Sequence, residues 1–119
     1  RYVFDKVTAM RQGATKFELT PAEAAEMDVF KLVHGVEIAN GGNTAQENEF
    51  AYEVAKFLNL TILGGSDAHS LSGLGYYATR INSQINSQDE LISALHAGDT
   101  DVMSLNKEKG TYEIYQPER

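Results

Sequence analysis

Two residues in this sequence carry chemistry at a spacing that matters. Asp67 and His69 stand two apart in Gly64-Gly65-Ser66-Asp67-Ala68-His69, directly after the apolar run Leu60-Thr61-Ile62-Leu63. In an extended stretch, side chains at i and i+2 point to the same side. A carboxylate oxygen and an imidazole nitrogen then converge on one divalent cation, or on two adjacent ones. Both are ordinary ligands of zinc, manganese and iron. The small neighbours Ser66 and Ala68 leave room for the approach. Against this stands a plain reading, in which Asp and Ser beside glycines form a turn and a loop histidine is solvated.

The remaining candidates are weaker. Glu37 and Asn40 end another short apolar run and fall on the same rim if the two runs are neighbouring strands. Arg80 is a candidate for a substrate phosphate. Ser66 and Ser70 have no base partner suggested by spacing, and a hydrogen-bonding turn serine is the simpler role. Tyr76-Tyr77 reads as packing. Gly41-Gly42 and Gly73-Leu74-Gly75 are too short for a dinucleotide fingerprint. His34 precedes a strand as an edge or loop residue, and His96 falls in a last helical turn, where a cation suits the helix dipole.

These residues need elements to hold them. Thr20-Pro21-Ala22-Glu23 is a capping box with proline at the first helical position, so a helix should run to about Met27, with Ala24, Met27, Val29 and Phe30 toward the core. Val36-Glu37-Ile38-Ala39 alternates as a strand and stops at Asn40-Gly41-Gly42-Asn43. Thr44-Ala45-Gln46-Glu47 opens a second helix over 45–58, whose stripe is Phe50, Ala51, Val54, Ala55 and Leu58, with Asn59 as a left-handed cap. Strands follow at 60–64 and 76–81. Ser87-Gln88-Asp89-Glu90 starts a third helix with Leu91, Ile92, Ala94 and Leu95 as its buried stripe and Gly98 as its end. The segment 111–115 alternates as a strand. Residues 1–19 read as loop.

Helices alternating with strands predict parallel pairing. Working groups in such sheets collect at the carboxyl ends of strands, where Glu37–Asn40 and Ser66–His69 fall.

At that level of detail the sequence resembles a family. Gly65-Ser66-Asp67-Ala68-His69, with Gly73-Leu74-Gly75 and Thr79 after it, is similar to the last metal-binding motif of the PHP (polymerase and histidinol phosphatase) family. Gly35-Val36-Glu37-Ile38-Ala39-Asn40-Gly41 resembles the strand before that motif. The resemblance spans Gly35 to Gly98. It implies an α/β chain that is the C-terminal part of a distorted (β/α) barrel with mostly parallel strands. It implies two or three divalent metal ions (zinc, manganese or iron) in the complete domain, and hydrolysis of phosphomonoesters or nucleotide phosphoesters by metal-activated water. On this resemblance Asp67 and His69 are the metal ligands, Asn40 and Arg80 touch substrate, and Glu37 and Ser66 support the groups around the metals. The family's opening His-x-His motif and its other early ligands are absent from this sequence, and His34 stands where the family tends to have aspartate.

Two ligands do not make a catalytic site, which for zinc takes three protein donors and a water. The 119 residues are therefore expected to be a partial domain, weak in metal binding and inactive alone. The first residues resemble neither a signal peptide nor a native start, which agrees with a piece of a longer protein. The alternative is a non-catalytic PHP-like module with a structural or interaction role. Half a barrel exposes an edge and an apolar face, so the expected partner is the missing N-terminal half or a second copy.

Charge and composition narrow the rest. Acidic residues outnumber basic ones 17 to 10, giving a net charge of −7, the wrong sign for a basic nucleic-acid patch. An acidic chain still handles a phosphorylated small molecule or nucleotide when metals supply positive charge. The absence of cysteine excludes disulfides and thiolate sites. No apolar run reaches the ~20 residues that span a bilayer, so no membrane partner is expected and the expected location is cytoplasmic.

Overall fold

The structure, a computed structural model, describes residues 19–117. The expected loop over 1–19 thus lies outside the described residues except for Leu19. Helix α1 (Pro21–Ala25) starts where the capping box places it: Thr20 Oγ1 accepts from the Glu23 amide, and the Glu23 carboxylate accepts from the Thr20 amide. It is shorter than expected. A 3-10 turn over Asp28–Leu32 replaces its continuation.

Strand β1 (Gly35–Asn40), helix α2 (Ala45–Leu58) and strand β2 (Thr61–Gly65) form one β–α–β unit, and its two strands pair in parallel. Helix α2 carries the second capping box, Thr44 with Glu47, and ends at Asn59 with φ 52°, the left-handed cap the sequence announced. Its buried face presents Phe50, Ala51, Val54 and Ala55. Ala51 and Ala55 pack with Val36, Ile38 and Ala39 of β1. Phe50 and Val54 pack with Ala24 of α1. Ile38 and Ala39 are both buried although they are consecutive, which simple alternation forbids. The ladder slips between Glu37 and Ala39, and that bulge turns both side chains inward.

The second half departs from expectation. Strands β3 (Tyr77–Ile81), β4 (Thr100–Asn106) and β5 (Thr111–Ile114) make a three-stranded antiparallel sheet in the order β3-β4-β5, and helix α3 (Gln88–Ala97) lies between β3 and β4 in the chain. The architecture is a small α/β fold with one parallel pair and one antiparallel sheet, and the described residues form no part of a parallel barrel. The expected C-terminal portion of a (β/α) barrel is corrected accordingly. The reason lies in how α3 is attached. Ile81 sits opposite Thr100, and the Asn82 amide donates to the Asp99 carbonyl at 3.1 Å. The chain leaves and rejoins the sheet at one point, so α3 is an insertion within a hairpin and not a crossover.

Helix α3 also packs lightly. Only Ala94 of its expected stripe is buried, while Leu91 and Ile92 are 37% and 43% exposed. Ser87 caps the Glu90 amide, but the Glu90 carboxylate turns to the Asn86 amide, so the third capping box forms by half.

Side chains, not a shared ladder, fasten the two sheets. The Thr79 hydroxyl accepts from the Gly64 amide and donates to the Gly64 carbonyl, both at 2.9 Å. Thr100 Oγ1 donates to Ile62 O at 3.1 Å. The approach is close enough that a Cβ on Gly64 would lie 2.7 Å from Val102.

Candidate functional site

The tips of β1 and β2 lie side by side, and the pairing runs one step further: the Gly41 amide donates to the Gly65 carbonyl at 3.1 Å. A Cβ on Gly41 would meet the Ser66 carbonyl, so only glycine lets the two tips stay this close. Asn48, 2% exposed on α2, fixes the β1 tip from behind. Its Oδ1 accepts from the Asn40 amide at 3.1 Å, and its Nδ2 donates to the Asn40 carbonyl at 3.3 Å. One buried amide thereby satisfies both backbone groups of the last strand residue, as a neighbouring strand would.

Glu37 and Asn40 are tied together on this rim. Asn40 Nδ2 donates to Glu37 Oε1, and Asn40 Oδ1 accepts from the Gly42 amide at 2.8 Å. The Glu37 carboxylate lies over Gly65.

Past the β2 tip the chain bends sharply. Asp67 has φ 44°, the left-handed region that aspartate tolerates better than most residues. Asp67 and His69 are thus not brought together by extended alternation. The turn does it: His69 Nδ1 lies 3.9 Å from Asp67 Oδ1 and 2.8 Å from the Asp67 backbone carbonyl. A carbonyl only accepts, so Nδ1 carries the hydrogen in this contact, and the neutral ring keeps its lone pair on Nε2. A histidine whose Nδ1–H is held by a carbonyl has Nε2 left to accept a ligand, the arrangement common in metal-ligating histidines. Both side chains are accessible, at 39% for Asp67 and 86% for His69.

They open on a cleft of about 440 Å³, also lined by Gly41, Gly42, Ser66, Ser70, Tyr76 and Lys107. Of the residues singled out from the sequence, the structure brings Ser66, Asp67 and His69 into this cleft and sets Glu37 and Asn40 just behind it, through Gly42 and Gly65. Arg80 is not on the cleft wall. It faces Asp101 across the β3–β4 ladder and bonds Asp101 Oδ2 at 2.5 Å and Asn82 at 3.1 Å. The Arg80 guanidinium first, and then Asn82, hold the Asp101 carboxyl below the usual aspartate range. His34 and His96 stack on each other, with ring centroids 4.5 Å apart, at the opposite end of the β1–β2 pair. Tyr76 and Tyr77 pack edge to face at 4.7 Å.

The donor set at the cleft, one carboxylate and one oriented imidazole, fits a divalent cation. It is incomplete: among the described residues no three His, Asp or Glu side chains gather as a metal-binding group. Sequence reasoning missed Asn48, although the signal was present, since an asparagine shares the helical stripe of Ala51 and Ala55. Lys107 and Tyr76 also went unnoticed as cleft residues, because their placement depends on a strand pairing that no local pattern announces.

No curated protein and no solved structure matches this chain. A family model does. The segment 45–100, from the first turn of α2 through β2, the Asp67–His69 turn, β3 and α3, matches the model of the PHP-associated family, a match consistent with the C-terminal region of a PHP-family protein.

Proposed function

We propose that the chain supplies the Asp67–His69 part of the metal centre of a PHP-type metal-dependent phosphoesterase, acting on a phosphomonoester or a nucleotide phosphoester. The observation that carries this reading is the β2 tip itself: a carboxylate and an Nε2-presenting imidazole share one open cleft inside the PHP-associated segment. The residues present would hold a zinc, manganese or iron ion through Asp67 Oδ and His69 Nε2. A bound metal there supplies an activated water and a Lewis acid for phosphoryl oxygens. The chain's own residues orient the donors. The Asp67 carbonyl fixes the His69 ring, while Asn48, through Asn40 and Gly42, fixes the floor beneath the Asp67 carboxylate.

With two donors in hand, the rest of the coordination shell is assigned to further polypeptide. The 119-residue chain should then show no turnover of p-nitrophenyl phosphate with manganese or zinc. A longer protein containing it should hydrolyse phosphoesters and lose at least about a hundredfold in rate on His69→Ala. Robust turnover by the 119 residues alone would contradict the ligand count. A non-catalytic PHP-like module remains the second reading, favoured by the lack of a third ligand among the described residues. A longer protein that is indifferent to His69→Ala would establish it.

A further inference from the structure

The cleft has a second wall made by a different sheet. The β4–β5 turn is held rigid: Asn106 Oδ1 accepts from the Glu108 and Lys109 amides at 3.2 and 3.1 Å, and the Gly110 amide donates to Asn106 O at 2.8 Å. Two further bonds stitch this hairpin to the loop that follows His69. The Leu105 amide donates to Tyr76 O at 2.9 Å, and Tyr112 Oη donates to Gly75 O at 2.6 Å. Lys107, the first residue of the turn, is thereby fixed on the wall of the Asp67–His69 cleft, with its ammonium 5.0 Å from the centre of the Tyr76 ring.

The charge of Lys107 is unspent. Among the described residues, Lys31, Lys56, Arg80 and Lys109 each lie in an ion pair with a carboxylate, whereas Lys107 lies in none and leans on an aromatic face instead. In a chain of net charge −7, a cation kept out of ion pairs and held over a cleft is placed for an external anion. Its ammonium and the Asp67 carboxylate do not pair, although both line that cleft, so the lysine stays available to a ligand.

We propose that Lys107 is the anion-binding residue of this cleft, taking the non-reacting oxygens of a phosphoryl group whose other oxygens face Asp67 and His69. Reading the anion as the phosphoryl group of an ester rests on the function proposed above; the anion site at Lys107 stands on its own geometry. A lysine acts on such a group as a point charge with rotatable donors, so arginine should replace it in part and glutamine should not.

The test is a titration of the metal-free 119-residue chain with inorganic phosphate at pH 7, followed by ¹H–¹⁵N NMR. Shifts should concentrate at Ser70, Tyr76 and Lys107, and at Ser72, which also lines the cleft. Lys107→Gln should weaken binding by at least about fivefold, the worth of one exposed charge at contact distance. Lys107→Arg should retain binding within about twofold, and Lys56→Gln, at a lysine paired with Glu53 outside the cleft lining, should leave phosphate binding unchanged. Phosphate that binds Lys107→Gln as it binds the native chain, or produces no shifts at the cleft, overturns the proposal. Failure of the two ideas is separable: manganese binding at Asp67 and His69 with Lys107-independent phosphate sinks only the anion site, whereas Lys107-dependent phosphate without manganese binding sinks only the phosphoesterase reading.

Discussion

Asp67 carries two roles that a single substitution separates. Its carboxylate faces the cleft, and its backbone occupies the left-handed region. Asparagine populates that region as readily as aspartate and keeps its shape, but it lacks the charge a divalent cation needs. Asp67→Asn is therefore expected to leave stability within about 0.5 kcal/mol of the native chain, read by urea denaturation, while removing manganese binding. A loss of several kcal/mol would mean that the carboxylate serves the fold instead. The sequence showed the pair and its glycine-flanked setting. It did not show the mechanism of convergence, because the positive φ of Asp67 is a property of the turn and no periodicity encodes it.

The elements show where local signals suffice and where they do not. Three capping boxes were readable, and all three helices begin where those boxes place them. The β–α–β unit was readable too: α2 buries Phe50, Ala51, Val54 and Ala55 of its announced stripe, and β1 buries Val36 and Ile38 as its alternation announces. Strand β4 was not. Thr100-Asp101-Val102-Met103-Ser104 breaks alternation, with Val102 and Met103 both buried, and its partners β3 and β5 identify themselves only after folding. Strong helix signals on both sides of a strand suggested a crossover, and nothing local distinguishes that from a helix inserted in a hairpin. Thr79 is the clearest residue at this level. Its hydroxyl is the double hydrogen bond between β2 and β3, so Thr79→Val keeps the β-branched shape and strands the Gly64 amide and carbonyl. The expected cost is about 2 kcal/mol in a denaturation experiment. An unchanged midpoint would mean that water replaces the hydroxyl and that the Thr100–Ile62 bond and apolar contact suffice to hold the sheets.

For the whole molecule, charge sets the acid limit. Asp101 is held below its ordinary value by Arg80 and Asn82, Glu113 by Lys109 and Asn106, and Glu23 by the Thr20 amide and hydroxyl. Each carboxyl has a folded pKa beneath its unfolded one. Their contribution is therefore complete above the unfolded value, near 4, and is lost as pH falls through the depressed folded values. The denaturation midpoint should stay flat from pH 7 to about 5 and fall below about 4, and Asp101→Asn should flatten part of that fall. A midpoint that rises on acidification would reverse the assignment. Among the described residues no helix is long and apolar enough to cross a membrane, and Leu32, Phe57, Leu71, Leu74 and Ile114 leave apolar surface in contact with water.

The central claim is that Asp67 and His69 jointly hold a divalent cation at the β2 tip. Manganese answers it directly, since its paramagnetism broadens nearby amide signals even when binding is weak. Titration of the 119-residue chain should first erase the amides of Ser66 to Ser70 together with Gly41 and Gly42, and Asp67→Asn or His69→Ala should abolish that pattern. Broadening that ignores both substitutions, or that centres on the His34–His96 stack or on scattered surface carboxylates, would contradict the account.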